Sequence, residues 1–270
     1  MNTKTYTVAL LLSLASIFSA SSQATVVEVR TIMGDFQVNL FDEATPQTVA
    51  NFLEYVNSRA YANNTVHRSS SNFVIQMGGF QYNNAFPPEL INVLSPVRNE
   101  PVLSNLRGTL AMAKQANNPN SATSQFFVNL GNNSSNLDLQ NGGFTVFGQV
   151  LGDGMDVVDA IAALSIFSFS FSNDQPSFPE IPLRDYTTAD QQNGVIPDES
   201  NLVIITDIVV IDPAVVTNPN LNPAPNTLIN APSAPPSSSG GGGSLNVFLL
   251  LGLAAIASFR RRYRLAPAKP

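Results

Sequence analysis

Phe73, Ile75 and Met77 interleave with Val74, Gln76 and Gly78 without a break. A period of two belongs to a β-strand whose two faces meet different surroundings. Thr65 to Arg68 precede this run across a polar turn, Ser69-Ser70-Ser71-Asn72, so the stretch reads as two short strands and their connection. A guanidinium beside an apolar pair of strands needs water, which places Arg68 at a solvent-filled groove. The chain has no cysteine, so disulfides and thiol chemistry are excluded and the core must supply the stability.

The same period recurs along the chain. Val26 to Ile32 and Asp35 to Phe41 flank a hairpin turn at Met33-Gly34, with Val27 and Val29 on one face and Phe36, Val38 and Leu40 on another. Gly108 to Ala113, Gln125 to Leu130, Phe144 to Val150 and Asn201 to Ile211 complete a set of eight strands. Two segments carry helical spacing instead. In the first, Thr45 is placed to cap, Pro46 fits the first turn, and Val49, Phe52, Leu53 and Val56 form one stripe. In the second, Met155, Val158, Ile161 and Ala162 face inward, and Asp153 and Asp156 suit the positive end of the helix dipole. The expectation is an all-β domain over 25–212, a closed eight-stranded antiparallel barrel capped by helices near 45–58 and 154–163. Phe80 to Leu106 is a long, proline-rich connection. Residues 165–171 alternate like a strand, but Pro176, Pro179 and Pro182 follow, so 165–200 is read as an extended loop insertion packed on the barrel.

The termini have a different character. Residues 1–24 combine Lys4, an apolar run from Val8 to Phe18 and a small-residue end at Ser22-Gln23-Ala24, the pattern of a cleaved signal peptide. Residues 213–244 are rich in Pro, Asn, Ser and Gly, which reads as a linker. Leu245 to Phe259 is an apolar run of fifteen residues, short against the roughly twenty of a full span. The basic tail at 260–270 starts with Arg260-Arg261-Arg262, which argues for a cytoplasmic end with the barrel outside, in the periplasm or cell envelope of a Gram-negative bacterium. The Ser/Gly run, apolar helix and arginine cluster resemble a bacterial sorting tail, whose partner is an intramembrane protease cutting near Gly240 to Gly243. A plain single-span anchor is the alternative.

Between Lys4 and the basic tail, seven basic residues face nineteen acidic ones, a net of −12. Such a body repels phosphate backbones, so nucleic acid is not an expected partner. His67 is the only histidine, and with no cysteine to share a site it reads as a structural residue, not a metal ligand. A monomer without metal or cofactor is expected.

Arg68 with Phe73-x-x-Gln76, then Ser124-Gln125-Phe126-Phe127, then Val146-Phe147-Gly148, stand in an order that resembles the cyclophilin family of peptidyl-prolyl cis-trans isomerases, from about Ala24 to Asp212. The resemblance implies proline-containing polypeptides as substrates. Rotation about a peptidyl-proline bond meets a barrier near 20 kcal/mol from amide resonance. No bond breaks, so the chemistry needs no nucleophile, metal or cofactor. It needs an apolar seat for the ring and a fixed donor that favours the twisted amide over either planar isomer.

Arg68 is the candidate donor, since arginine keeps its charge and presents a rigid fork of N–H groups. The resemblance implies that Gln76 and Gln125 position that arginine or bond the substrate backbone. It makes Phe73 and Phe127 the floor and wall of a proline pocket that Leu137 completes. Phe126 and Phe127 are adjacent, so one faces the barrel and the other the groove, and the motif assigns Phe127 to the groove. Met112 and Ala113 are expected beside it, with the backbone of Ala113 to Lys114 gripping substrate as an added strand.

Four positions depart from the pattern. Val74 stands where methionine is common, Asn136 where a bulky aromatic precedes the wall leucine, Phe144 where histidine or tyrosine is usual, and Lys114 where asparagine or arginine is common. The missing aromatic bears on cyclosporin-like inhibitors more than on catalysis. The altered rim also leaves a second class open: a chaperone or scaffold module that binds proline segments with little turnover.

Overall fold

The hairpin expected around Met33-Gly34 forms as β1 (Val26–Thr31) and β2 (Gly34–Leu40), paired antiparallel in uninterrupted register. Val27, Val29, Phe36, Val38 and Leu40 are buried on one side of it. The computed structural model describes residues 25–171, 175–213 and 221–230. The segment 1–24 expected as a signal peptide, the apolar run 245–259 and the basic tail 260–270 lie outside these residues. Among the described residues no helix is long and apolar enough to cross a membrane.

After β2 the chain forms α1 (Pro46–Asn57), then β3 (Asn64–Thr65), β4 (Arg68–Ser70), β5 (Val74–Met77), β6 (Phe80–Gln81) and β7 (Glu89–Leu90). β8 (Thr109–Met112), β9 (Phe126–Asn129), the short α2 (Ser134–Leu137) and β10 (Val146–Val150) follow. The last elements are α3 (Gly154–Ala162), β11 (Ser165–Phe169), β12 (Phe178–Leu183), α4 (Thr188–Gln192) and β13 (Ile204–Asp212). Eleven strands form one sheet in the order β4-β5-β9-β8-β10-β2-β1-β13-β3-β6-β7, and β11 and β12 form a sheet of their own. The expected eight strands are therefore too few. The difference comes from two-residue strands in the proline-rich connection and from the break of 64–70 into β3 and β4. The end strands β4 and β7 do not pair with each other. The sheet curls strongly, and the stretch 64–70 serves both of its ends: Val66 N–H donates to the Val203 carbonyl and His67 N–H to that of Gln76.

α1 packs its buried side, Val49, Phe52, Tyr55 and Val56, into the curl. The Phe52 ring meets Phe126 edge-on at 5.3 Å and Phe147 at 5.1 Å. Thr45 does not cap α1 through its side chain, because its hydroxyl donates to the Phe41 carbonyl. Glu100 takes that part: its carboxylate accepts from Thr48 N–H at 2.9 Å and from Gln47 N–H at 3.3 Å, a negative charge at the positive end of the helix. α3 closes against β2, with Val158 and Ile161 fully buried.

Two segments differ from their reading as loop and linker. Residues 165–169 and 178–183 pair antiparallel as β11 and β12, because the alternation at 165–169 finds a partner strand despite the prolines. Phe167, Phe178, Ile181 and Leu183 bury one side of it against Phe80, Tyr186, Leu202 and Ile204. Residues 221–230 lie on the domain: Ser104 N–H donates to the Ala224 carbonyl and Asn226 N–H to that of Val102. The Asn226 amide, itself buried, reaches the Asp138 carbonyl at 2.9 Å.

Candidate active site

A cleft of about 340 Å³, counted out to open solvent, is lined by Arg68, Phe73, Val74, Gln76, Ala113, Phe127, Leu137 and Phe144. Strand alternation puts these side chains together. On β9, Phe126 enters the barrel core and Phe127 the apolar cluster of the cleft, as the Ser-Gln-Phe-Phe run suggested. On β8 the same rule separates Met112 from its neighbours. Ala111 and Ala113 belong to the cleft cluster, while Met112 is fully buried in the barrel core. A side-chain role for Met112 in substrate contact is therefore corrected by its orientation.

Phe127 and Phe144 form an edge-on pair at 5.9 Å, and Leu137 is buried beside them. The 137–144 stretch is tied down from several sides. Asp138 accepts from the Ser104 hydroxyl at 2.6 Å and from Asn105 N–H at 2.8 Å. Asn99 donates to the carbonyls of Gly142 and Gly143. Lys114 is only 2% exposed and donates to the carbonyls of Asn141 and Gly143. Its ammonium also lies over the Phe144 ring, 4.6 Å from the centroid. Burial brings the Lys114 pKa down to about 8. The rim thus has a structural lysine where the sequence suggested only substrate-gripping backbone.

Arg68 and Gln76 are directly opposite each other on β4 and β5. The Gln76 amide nevertheless donates to Gln125 at 2.8 Å, across to the residue preceding β9. Gly79 makes room for this pair, since a Cβ there would sit 2.7 Å from the Gln125 side chain. Arg68 takes a different partner: its Nε donates to Glu180 Oε2 on β12 at 2.7 Å. Next to it, the His67 ring is buried and packs edge-on against Phe80 at 4.8 Å. Burial first, and the Arg68 charge in addition, lower the His67 pKa to about 3, so the ring is neutral near pH 7.

A family model described as cyclophilin type peptidyl-prolyl cis-trans isomerase/CLD matches residues 26–187, more than half of the chain. The chain belongs to the cyclophilin family. Several bacterial relatives carry the isomerase name. The peptidyl-prolyl cis-trans isomerase of Acinetobacter baylyi is 39% identical over 158 residues, covering 57% of this chain and 81% of that protein. Peptidyl-prolyl cis-trans isomerase B of Escherichia coli is 40% identical over 160 residues, covering 56% and 92%. Peptidyl-prolyl cis-trans isomerase A of Dickeya dadantii is 37% identical over 164 residues, covering 59% and 83%. The cyclophilin family is an enzyme class, so this chain carries an isomerase domain.

Within that cyclophilin domain, sequence reasoning missed Glu180. It lies 112 positions from Arg68, inside a segment read as loop. The alternation of 165–171 was the available signal, since a strand there demands a partner, and residues 178–183 were the nearest apolar candidate.

Proposed function

We propose that this cyclophilin isomerises Xaa-Pro bonds of exported polypeptides, with the proline ring seated on Phe73, Phe127, Leu137 and Phe144. The observation that carries this reading is the placement of Arg68 on the lip of that apolar cleft. Twisting the amide localises a lone pair on the imide nitrogen. A guanidinium N–H aimed there stabilises the twisted state more than either planar one. Gln76 and Gln125, held to each other, are available to bond the substrate backbone. The Ala113 carbonyl is offered to an extended peptide, since its N–H already donates to the Gln125 carbonyl. A protease-coupled assay on a short Ala-Pro peptide tests the reading. Turnover well above the uncatalysed rate is expected, and none above it would reject the reading.

The second reading, a proline-segment binder with little turnover, is favoured by the rim, where Asn136 is exposed in place of a bulky aromatic. The same assay, run beside a binding measurement on the peptide, separates the two: binding without turnover selects the second.

Export is part of the proposal. The segment 1–24 supports signal cleavage near Ala24 and a periplasmic or cell-envelope location. Leu245 to Phe259 with the arginines behind it supports attachment of the domain to the membrane through its C-terminal arm, at least until processing near Gly240 to Gly243. Fifteen residues rise only about 22 Å as a helix, against a hydrocarbon core of roughly 30 Å, which suits a processed tail. Mass spectrometry of the protein from its own cells checks this. An intact end at Pro270 in membrane fractions selects a simple anchor, and a cytosolic chain retaining Met1 rejects export.

A further inference from the structure

The Gln76 amide donates to Gln125 and not to Arg68, whose side-chain partner comes from elsewhere. The Arg68 side chain is 14% exposed and that of Glu180 is 36% exposed, a partly buried pair that solvent screens less than an ordinary surface bridge. Glu180 Oε2 takes the Nε–H at 2.7 Å. A guanidinium is planar, so fixing the Nε–H direction fixes the plane of the whole fork. Among the described residues nothing hydrogen-bonds the two terminal nitrogens, and Arg68 lines the cleft. The pairing thus occupies the nitrogen nearest the chain and leaves the other two for a ligand.

The element that carries Glu180 is well packed. β12 runs beside β4, and Phe178 and Ile181 on either side of Glu180 are 1% and 0% exposed within their own apolar cluster. The Ser70 hydroxyl stands 3.5 Å from the second carboxylate oxygen. The hairpin therefore delivers the carboxylate to a fixed place, which a mobile loop would not do.

We propose that Glu180 is a positioning residue for Arg68 and that the β11–β12 hairpin is in this way part of the isomerase site. The proposal rests on the reading of Arg68 as the group that stabilises the twisted amide. An alternative effect of the same carboxylate has the opposite sign: an anion beside Arg68 weakens its field in the cleft, and on that ground alone Glu180 would slow turnover. Orientation wins if a single misdirected contact costs more than the partial neutralisation.

The test uses the intact protein with Glu180→Ala, Glu180→Gln, Arg68→Ala and the double variant, each followed by Ala-Pro peptide turnover and thermal melting. Glu180→Ala is expected to lower kcat/KM about tenfold, the rate equivalent of one lost charge-assisted contact, and to do so in kcat with KM nearly unchanged. Glu180→Gln keeps an oxygen acceptor for Nε–H and is expected to restore most of the rate. In the Arg68→Ala background, Glu180→Ala is expected to have no further effect, since its influence passes through Arg68. A Glu180→Ala rate within twofold of wild type, or above it, beside a slow Arg68→Ala contradicts this proposal alone. So does an additive double variant. A wild-type rate in Arg68→Ala contradicts the role of Arg68 itself, and the proposal with it.

Discussion

Lys114 Nζ lies 4.6 Å from the centre of the Phe144 ring and donates to the carbonyl of Gly143, the residue before it. One buried cation therefore fixes both the ring and the backbone of the cleft wall. Lys114→Met keeps the stem but removes these contacts. KM for a proline peptide is expected to rise about fivefold with kcat little changed, because the wall binds all states of the substrate alike. The lysine also leaves a trace in stability. Its folded pKa, about 8, is below the 10.5 of a free lysine. Between those values the unfolded chain holds more protons, so stability rises with pH through that window. Melting curves from pH 8 to pH 10.5 should show this rise in the wild type and lose it in Lys114→Met.

His67 gives a second pH signature, at the acid end. Its folded pKa of about 3 is below the 6.5 of a free histidine, chiefly through burial. The contribution of the neutral ring is complete above pH 6.5 and is lost as pH falls toward 3, where the unfolded chain takes a proton that the folded one refuses. His67→Gln is expected to lose less melting temperature than wild type on going from pH 7 to pH 4. Comparing the two profiles removes the share of the carboxylates common to both. Equal slopes would show that the ring is protonated in the folded state.

Glu100 caps α1 from 52 positions away, through Thr48 N–H and the Thr48 hydroxyl. Glu100→Ala is expected to destabilise the domain by about 1 kcal/mol, the usual cost of losing a cap together with its dipole interaction. Chemical denaturation measures this directly. Turnover should stay near wild type, since the carboxylate bonds Gln47 and Thr48, which do not line the cleft, and the Glu100 backbone N–H keeps its bond to Thr145.

Alternation and amphipathic stripes made most of the fold legible, because burial on one face leaves a period in the sequence. β1, β2, β5, β8, β9, β10, β13, α1 and α3 all stand where that period stood. The same logic separated Phe126 from Phe127. It was not applied to Met112, one strand over, where it would have assigned the side chain to the core. The β11–β12 hairpin was hidden because three prolines suppress strand expectation, yet an isolated two-stranded sheet has free edges that accommodate them. Contacts such as Glu100 to α1 and Glu180 to Arg68 leave no local pattern, since they join residues far apart in the chain. The docking of 221–230 was hidden for a related reason: its composition is that of a linker, and its attachment is through backbone groups and one asparagine.

The central claim is that Arg68 lowers the barrier by meeting the twisted amide, and Arg68→Ala tests it most directly. Arg68 stands at the cleft and not in the barrel core, so its loss should leave the fold and melting temperature close to wild type apart from the freed Glu180 carboxylate. In a protease-coupled assay on an Ala-Pro peptide, kcat/KM is expected to fall by about two orders of magnitude, the scale of losing one preorganised electrostatic donor. A folded Arg68→Ala protein that isomerises the peptide within twofold of wild type would contradict the account.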